Sequence, residues 1–372
     1  MKLLFLLFLT VATVQAQTPG DSVWTRFERK QKDDYRFGYK DAAGRTRIPA
    51  KFGNFGPALK FRHIIAVNEY DAQQQYYVLK NGRQVGRDSV YMSPDYDYDC
   101  ESEGKIRFRD RTRYRMGFFN GAGRVVIPAL YNYVSPFHNG LAVGLIGARA
   151  KCFSGENDSI QCEHPGWVGG RTVLINGRND VLADSLPSHQ LYHLNWYSLR
   201  INTPAVDTAT ARTFRAANGD RYTFTDYEKE FTHWFYGVFV PTVRTGAAEK
   251  VTALCYPELV ASGKPFRDWQ HFERAAFIRK FYQPALLPKL GGLRYGAKNV
   301  NVFSEDLNTL IFNSLRLQSF LTDCNEHFQE KYPVFNVVIN QIDTSGKSSS
   351  EHQEHFAFIR TAEGYRLLSV SL

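Results

Sequence analysis

The stretch Phe37-Gly38-Tyr39-Lys40-Asp41, followed by Gly44-Arg45, Ile48-Pro49 and Phe52, returns seventy-nine residues later. The second copy reads Met116-Gly117-Phe118-Phe119-Asn120, then Gly123-Arg124, Ile127-Pro128 and Tyr131. It runs on through Phe137 to Gly140-Leu141-Ala142-Val143, and Ala66-Val67 answers that last pair in the first copy. A fixed internal period is the mark of a repeat architecture. The glycine before the aromatic admits a second backbone at close range or an unusual dihedral. The polar residue three positions before the second glycine makes a turn between two short strands. Proline, which cannot donate to a ladder, is expected to end the second strand. Each unit therefore reads as a small β-hairpin with an inward-facing aromatic.

A second similarity alternates with the first. Val78-Leu79-Lys80-Asn81-Gly82-Arg83 resembles Val173-Leu174-Ile175-Asn176-Gly177-Arg178, and Asp88-Ser89 and Asp184-Ser185 follow in turn. The Asn-Gly pairs are hairpin turn signals. These units resemble WG repeats, tandem aromatic-Gly β-units common in bacterial proteins. Phe37-Gly38 and Met116-Gly117 stand where the family usually has Trp-Gly, and Pro165-Gly166-Trp167 reads as a degenerate unit in reversed order. The resemblance covers 34–145 well and 146–225 poorly. It implies a β-repeat scaffold of binding or interaction type, either a propeller-like ring or an open stack, and it brings no catalytic residues.

The chain has 372 residues, 43% hydrophobic and 15% aromatic, enough for about two domains and unlike a disordered, collagenous or coiled-coil chain. Lys2 followed by the apolar run Leu3 to Val14 and Val14-Gln15-Ala16 reads as a secretory signal peptide with Gln17 as the new N-terminus. No apolar run is long enough to span a membrane. The expected organisation is a signal peptide (1–16), a linker (17–33), a mainly β repeat region (34–225) and a smaller α+β domain (226–372). The net charge of +9 speaks to solubility and attraction to anions rather than to fold. For an exported chain it directs attention to anionic glycans or lipid headgroups rather than nucleic acid.

Export permits disulfides. Of Cys100, Cys152, Cys162, Cys255 and Cys324, the pair Cys152–Cys162 is expected to close a surface loop. Cys255 with Cys324 is a further option that no spacing rule supports, so the pairing of Cys100, Cys255 and Cys324 stays open. No C-x-x-C pair indicates a zinc site.

From Asp95 to Arg115 charges occupy every odd position. Asp95, Asp97, Asp99, Glu101 and Glu103 precede Gly104, and Lys105, Arg107, Arg109, Arg111, Arg113 and Arg115 follow it. Alternate residues share a strand face. A hairpin centred on Gly104 would pair Glu101 with Arg107, Asp99 with Arg109, Asp97 with Arg111 and Asp95 with Arg113, a self-neutralised face. The excess base leaves Arg113 and Arg115 as candidate anion contacts.

After residue 225 the period becomes helical. Thr225 and Glu228 have capping-box spacing. Tyr227, Phe231, Trp234, Phe235 and Val238 recur at helical intervals before Pro241. A second helix is expected from Asp268 through Trp269, Phe272, Ala276 and Phe281 to Pro284. A third is expected after Ser304 through Leu307, Leu310, Ile311, Phe320, Leu321 and Phe328, with a strand as the alternative for its middle. The end is a β-meander: 334–342, 356–360 and 365–372. Helices first and a curved sheet last resembles the nuclear-transport-factor-like cone fold, in which a sheet wraps helices around a pocket.

Glu351-His352-Gln353-Glu354-His355 matches neither H-E-x-x-H nor H-x-x-E-H, so these are read as solvated hairpin residues. No P-loop, G-x-S-x-G or G-x-G-x-x-G opening a helix is present. No catalytic, metal or cofactor residues are assigned, and no cofactor is expected. The sequence thus points to a non-enzymatic, exported scaffold of the cell envelope. Its expected partner is a protein or an anionic glycan. The alternative is an exported enzyme or small-molecule receptor with a pocket in the C-terminal cone.

Overall fold

In a computed structural model the described residues are 23–31, 34–53, 57–93, 97–152, 166–191, 193–204, 207–264, 266, 268–324, 328–343 and 350–371. The two quoted stretches fold alike. Asp34–Lys40 (β2) pairs with Thr46–Phe52 (β3) through Phe37↔Phe52, Tyr39↔Ile48 and Lys40↔Thr46. Arg115–Asn120 (β9) pairs with Val125–Tyr131 (β10) through Met116↔Tyr131, Phe118↔Ile127 and Phe119↔Val125. All three contacts recur at the repeat offset. In both units the second strand bulges between the isoleucine and the aromatic. Pro49 and Pro128 sit inside that bulge rather than at a strand end, because a bulge breaks the ladder where a residue without an N–H can be accommodated.

The glycines before Tyr39 and Phe118 face the bulge. A Cβ on Gly38 would lie 2.5 Å from the Ile48 carbonyl oxygen and 2.8 Å from the Ala50 nitrogen. One on Gly117 would lie 2.7 Å from the Pro128 carbonyl carbon and 2.8 Å from the Ala129 nitrogen. The expectation of close backbone approach holds. The turns recur as well. Asp41–Arg45, Leu79–Arg83, Asn120–Arg124, Asn176–Asp180 and Ala216–Asp220 each close with the first N–H on the fifth carbonyl and the fourth N–H on the first carbonyl. The fourth residue has positive φ every time: Gly44, Gly82, Gly123, Asn179 and Gly219. That is the three-residue hairpin loop with a left-handed residue closing it. Asn176 therefore opens its turn as Asp41 and Asn120 do, not as Asn81 does.

The strands form sheets in series. Trp24–Gln31 (β1), β2, β3, Lys60–Phe61 (β4), Ile64–Glu69 (β5), Gln74–Leu79 (β6) and Gln84–Val85 (β7) make the first, in the order β4-β1-β2-β3-β5-β6-β7. The stretch expected as a linker thus contains β1, which pairs along β2 from Thr25↔Lys40 to Gln31↔Asp34. Lys105–Asp110 (β8), β9 and β10 make the second sheet. Tyr133–Val134 (β11), Leu141–Ile146 (β12), Arg171–Asn176 (β15) and Val181–Ala183 (β16) make the third, beside a ribbon of Arg149–Lys151 (β13) and Gly166–Val168 (β14). Leu194–Ile201 (β17), Ala211–Arg215 (β18) and Arg221–Asp226 (β19) make the fourth.

The second and third sheets each bury one face on the sheet before and the other on the sheet after, while the first also packs on itself through Tyr39, Phe52, Phe61 and Tyr76. Ile106, Phe108 and Phe119 pack with Ile64, Ala66 and Tyr77 of the first sheet. The alternate residues Met116, Phe118 and Ile127 pack with Ala142, Val173 and Ile175 of the third. Leu141 and Leu174 then pack with Trp196, Phe214 and Phe224 of the fourth. No single sheet could hide both faces; stacking supplies the core.

The C-terminal part is α+β. Helix Tyr227–Trp234 (α1) is capped by Asp226, whose side chain accepts from the Lys229 N–H. Past Trp234 the helix widens through Phe235–Phe239 and continues as Val240–Arg244 (α2). Pro241 does not end it, because the wide turn removes the i−4 bond that proline would break. Ala248–Ala253 (α3) follows. The second expected helix begins later than its apolar spacing suggests. Gln270–Glu273 (β21) is a strand, and Glu273 caps Arg274–Phe281 (α4), which runs on past Pro284 to Leu287–Leu290 (α5).

Cys255–Ser262 (β20), Val300–Ser304 (β22), Val334–Asp343 (β23), Ser350–Thr361 (β24) and Gly364–Ser371 (β25) complete a sheet in the order β21-β20-β25-β24-β23-β22. Its inner face is filled: Phe231 stacks on Phe335 at 4.7 Å, and Phe235, Phe239, Phe277, Phe356, Phe358 and Tyr365 close the interior. The third expected helix is absent. Between Ser304 and Val334 the described residues hold one short 3-10 turn, Gln318–Phe320, and one bridge, Leu321↔Phe328. Phe312, Leu317, Leu321 and Phe328 instead cover the outer face of the sheet against Tyr256, Val260, Ile359 and Leu368. Helical spacing misleads there because the apolar residues serve an irregular strap.

Candidate functional site

A cavity of about 1560 Å³ is walled by all four N-terminal sheets and by the strap, so the series of sheets curves around it. Tyr91, Tyr133, Trp167, Trp196 and Tyr227 supply aromatic wall, and Asp99, Glu101, Glu103, Glu305, Asp323 and Glu330 supply carboxylates. Arg107 is the main internal cation. The Asp99 carboxylate pairs with its guanidinium and also accepts from its backbone N–H at 2.8 Å. Burial opposes the Arg107 charge, but the carboxylate outweighs it and raises the pKa.

The acidic run does not form the expected ladder. β8 pairs with β9, Lys105↔Asn120 through Asp110↔Arg115. The acids bind backbone N–H groups of other sheets instead. Glu101 accepts from the N–H of His63 at 2.9 Å and of Ile64 at 3.2 Å, at the start of β5. Glu103 accepts from the N–H of Asn139 at 2.5 Å and of Gly140 at 2.7 Å, in the turn before β12. A carboxylate on converging N–H groups is worth more than an exposed ion pair, so segment 99–103 ties the first, second and third sheets together at the cavity. Asp95 lies outside the described residues.

The strap closes the remaining side. Cys324 is disulfide-bonded to Cys100, which settles against pairing of Cys324 with Cys255. Asp323 holds Arg62 at 2.5 Å and Lys60 at 3.8 Å. Glu330 lies 3.3 Å from His138 Nε2, and Lys331 stands 5.6 Å over the Tyr197 ring. Ser304 Oγ is 3.3 Å from His193 Nδ1 of the fourth sheet. One strap thus touches the first, third and fourth sheets. Cys255 is a free thiol, and burial pushes its pKa up to about 12, with nearby Arg274 and Arg366 opposing the rise. Cys152 is buried and disulfide-bonded; Cys162, its expected partner, lies outside the described residues.

The repeat residues frame this site rather than line it. Tyr39, Ile48, Phe118 and Ile127 are core, and Gly140 takes φ 73° in the turn that Glu103 holds. Arg113 and Arg115 stand away from the cavity, Arg113 in the β8–β9 turn and Arg115 at the start of β9. Glu354, expected in solvent, is buried and pairs with Lys289, whose pKa burial lowers. Among the described residues no cluster of three or more His, Cys, Asp or Glu is placed to hold a metal ion, and no helix is long and apolar enough to cross a membrane.

Residues 116–143 match the family model of the WG containing repeat. The match spans the bulged hairpin β9–β10, β11 and the first half of β12. The WG repeat is therefore the unit whose bulge and close glycine recur at β2–β3. No curated protein matches. Two solved structures show partial likeness. One is a chain named Rd1NTF2_05 carrying five substitutions, with 8% identity over 39% of this chain and 97% of that chain and a TM-score of 0.23. The other is the putative calcium/calmodulin dependent protein kinase II association domain from Xanthomonas campestris, with 13% identity over 39% of this chain and 86% of that chain and a TM-score of 0.21. At these TM-scores neither bears on the architecture.

Proposed function

We propose that this is an exported, non-enzymatic scaffold of the cell envelope that holds a partner in the cavity between its WG-type sheets and its strap. The observation that carries the reading is the contrast between two interiors. The C-terminal α+β part is packed with aromatic rings, whereas the N-terminal sheets surround an open space of about 1560 Å³ with converging polar and aromatic groups. Such a cavity is where a ligand is expected. Its carboxylate-rich wall suits a polar protein segment better than an anionic glycan.

The test is capture from envelope extract by the full-length oxidised chain, compared with a Tyr133→Ala/Trp167→Ala variant. The same species should be retained by the parent and lost, at least tenfold, by the variant. Equal retention by both would move the binding surface elsewhere. A receptor reading keeps one specific support: a second pocket of about 620 Å³ on the outer side of α1, lined by Glu228, Lys229, His233, Tyr236 and Tyr295.

A further inference from the structure

We infer that the β8–β9 hairpin tip is a binding site for an anionic glycan, separate from the cavity. Three acids of the preceding run are used elsewhere: Asp99 by Arg107, Glu101 by the start of β5, and Glu103 by the turn before β12. Arg109, Arg111, Arg113 and Arg115 are left within seven residues of chain. Among the described residues Asp110 is the one carboxylate ion-paired with them, 4.0 Å from Arg113 Nε. That carboxylate is already engaged, because Asp110 Oδ1 accepts from the N–H of Thr112 at 3.0 Å and of Arg113 at 3.1 Å to hold the turn.

The remaining guanidinium contacts are with neutral groups. Arg111 donates to Gln75 Oε1 at 3.3 Å and Arg115 to the Tyr114 carbonyl at 3.4 Å. Arg109 lies 6.0 Å from the Tyr114 ring centre, and its buried Nε has no partner among the described residues. The Arg113 side chain is 78% exposed. Tyr114 is exposed in their midst with φ 52°. Guanidinium groups bind carboxylate and sulfate oxygens in bidentate fashion, and an exposed ring offers a flat face to a sugar. The disulfides at Cys100–Cys324 and Cys152 fit an oxidising compartment, where the abundant polyanions are glycans rather than nucleic acid. This choice of polymer rests on the export reading; the basic tip does not.

Calorimetry with size-defined heparin fragments tests the inference. The full-length oxidised chain should bind, and R111Q/R113Q/R115Q should bind about tenfold more weakly or worse. R111K/R113K/R115K should recover most of the affinity. R178Q/K250Q/K298Q, which removes the same charge from other surfaces, should bind like the parent. The cavity variant Tyr133→Ala/Trp167→Ala should also bind heparin normally, so failure of the cavity reading would leave this result intact. Equal weakening by the two glutamine triples would reduce the effect to net charge and overturn the site. Tighter binding to phosphatidylglycerol vesicles or single-stranded DNA than to heparin would overturn the glycan assignment.

Discussion

Gly117→Val should cost about 3 kcal/mol or more in urea unfolding, and Gly38→Val a comparable amount. At both positions a side chain would be driven into the backbone of the bulged partner strand, where there is no flexible neighbour to yield. Inserting atoms into a well-packed site already costs about 1–3 kcal/mol, and here the obstruction is main chain. Gly237→Ala is the contrast. Nothing lies within 4 Å of a Cβ there, in the wide turn after α1, so replacing a helical glycine should stabilise by up to about 1 kcal/mol. If Gly117→Val and Gly237→Ala were equally tolerated, close packing of the bulge on the glycine would be wrong.

Removing the Cys100–Cys324 bond has the other large effect expected. The two residues are 224 apart in sequence, and by the chain-entropy relation a cross-link of that span contributes about 5 kcal/mol. C100S/C324S should lose most of that in urea unfolding. It should also raise hydrogen exchange at the strap and at the start of β5, because among the described residues the polar ties left between strap and first sheet are those of Asp323 to Arg62 and Lys60. A loss below about 1 kcal/mol with unchanged exchange would mean that packing alone closes the cavity. Cys255 serves as an internal control. It is buried and free, so Cys255→Ala should leave the strap's exchange unchanged.

Much of the first half was legible because repetition is read without knowing any contact. Phe37-Gly38-Tyr39 and Met116-Gly117-Phe118 announced the same hairpin twice, and the glycine's role followed from its missing side chain. The bulge was not legible. Proline signals a gap in the ladder, but a gap inside a strand and a gap at its end look the same in sequence. The charge alternation misled in one half only. Lys105, Arg107 and Arg109 do lie on a strand, β8. Asp99, Glu101 and Glu103 share its period but answer N–H groups on three different sheets, and no local pattern encodes a partner 36 or 38 residues away. The strap was hidden for a similar reason. Leu317, Leu321 and Phe328 have helical spacing, yet what decides their conformation is the outer face of a sheet completed only by β23–β25. In the C-terminal part, the helical spacing of Tyr227, Phe231 and Phe235 is legible and these residues are buried, but the helix's continuation through Pro241 is not, because a wide turn that spares the proline leaves no local signal.

The shared bulge is the feature on which the repeat scaffold stands, and solution NMR measures it most directly. Cross-strand contacts between backbone protons should place Phe118 opposite Ile127 and Met116 opposite Tyr131, and likewise Tyr39 opposite Ile48 and Phe37 opposite Phe52. Both hairpins should thus skip the same two residues. A regular unbulged ladder in either hairpin, or different registers in the two, would contradict the equivalence of the units.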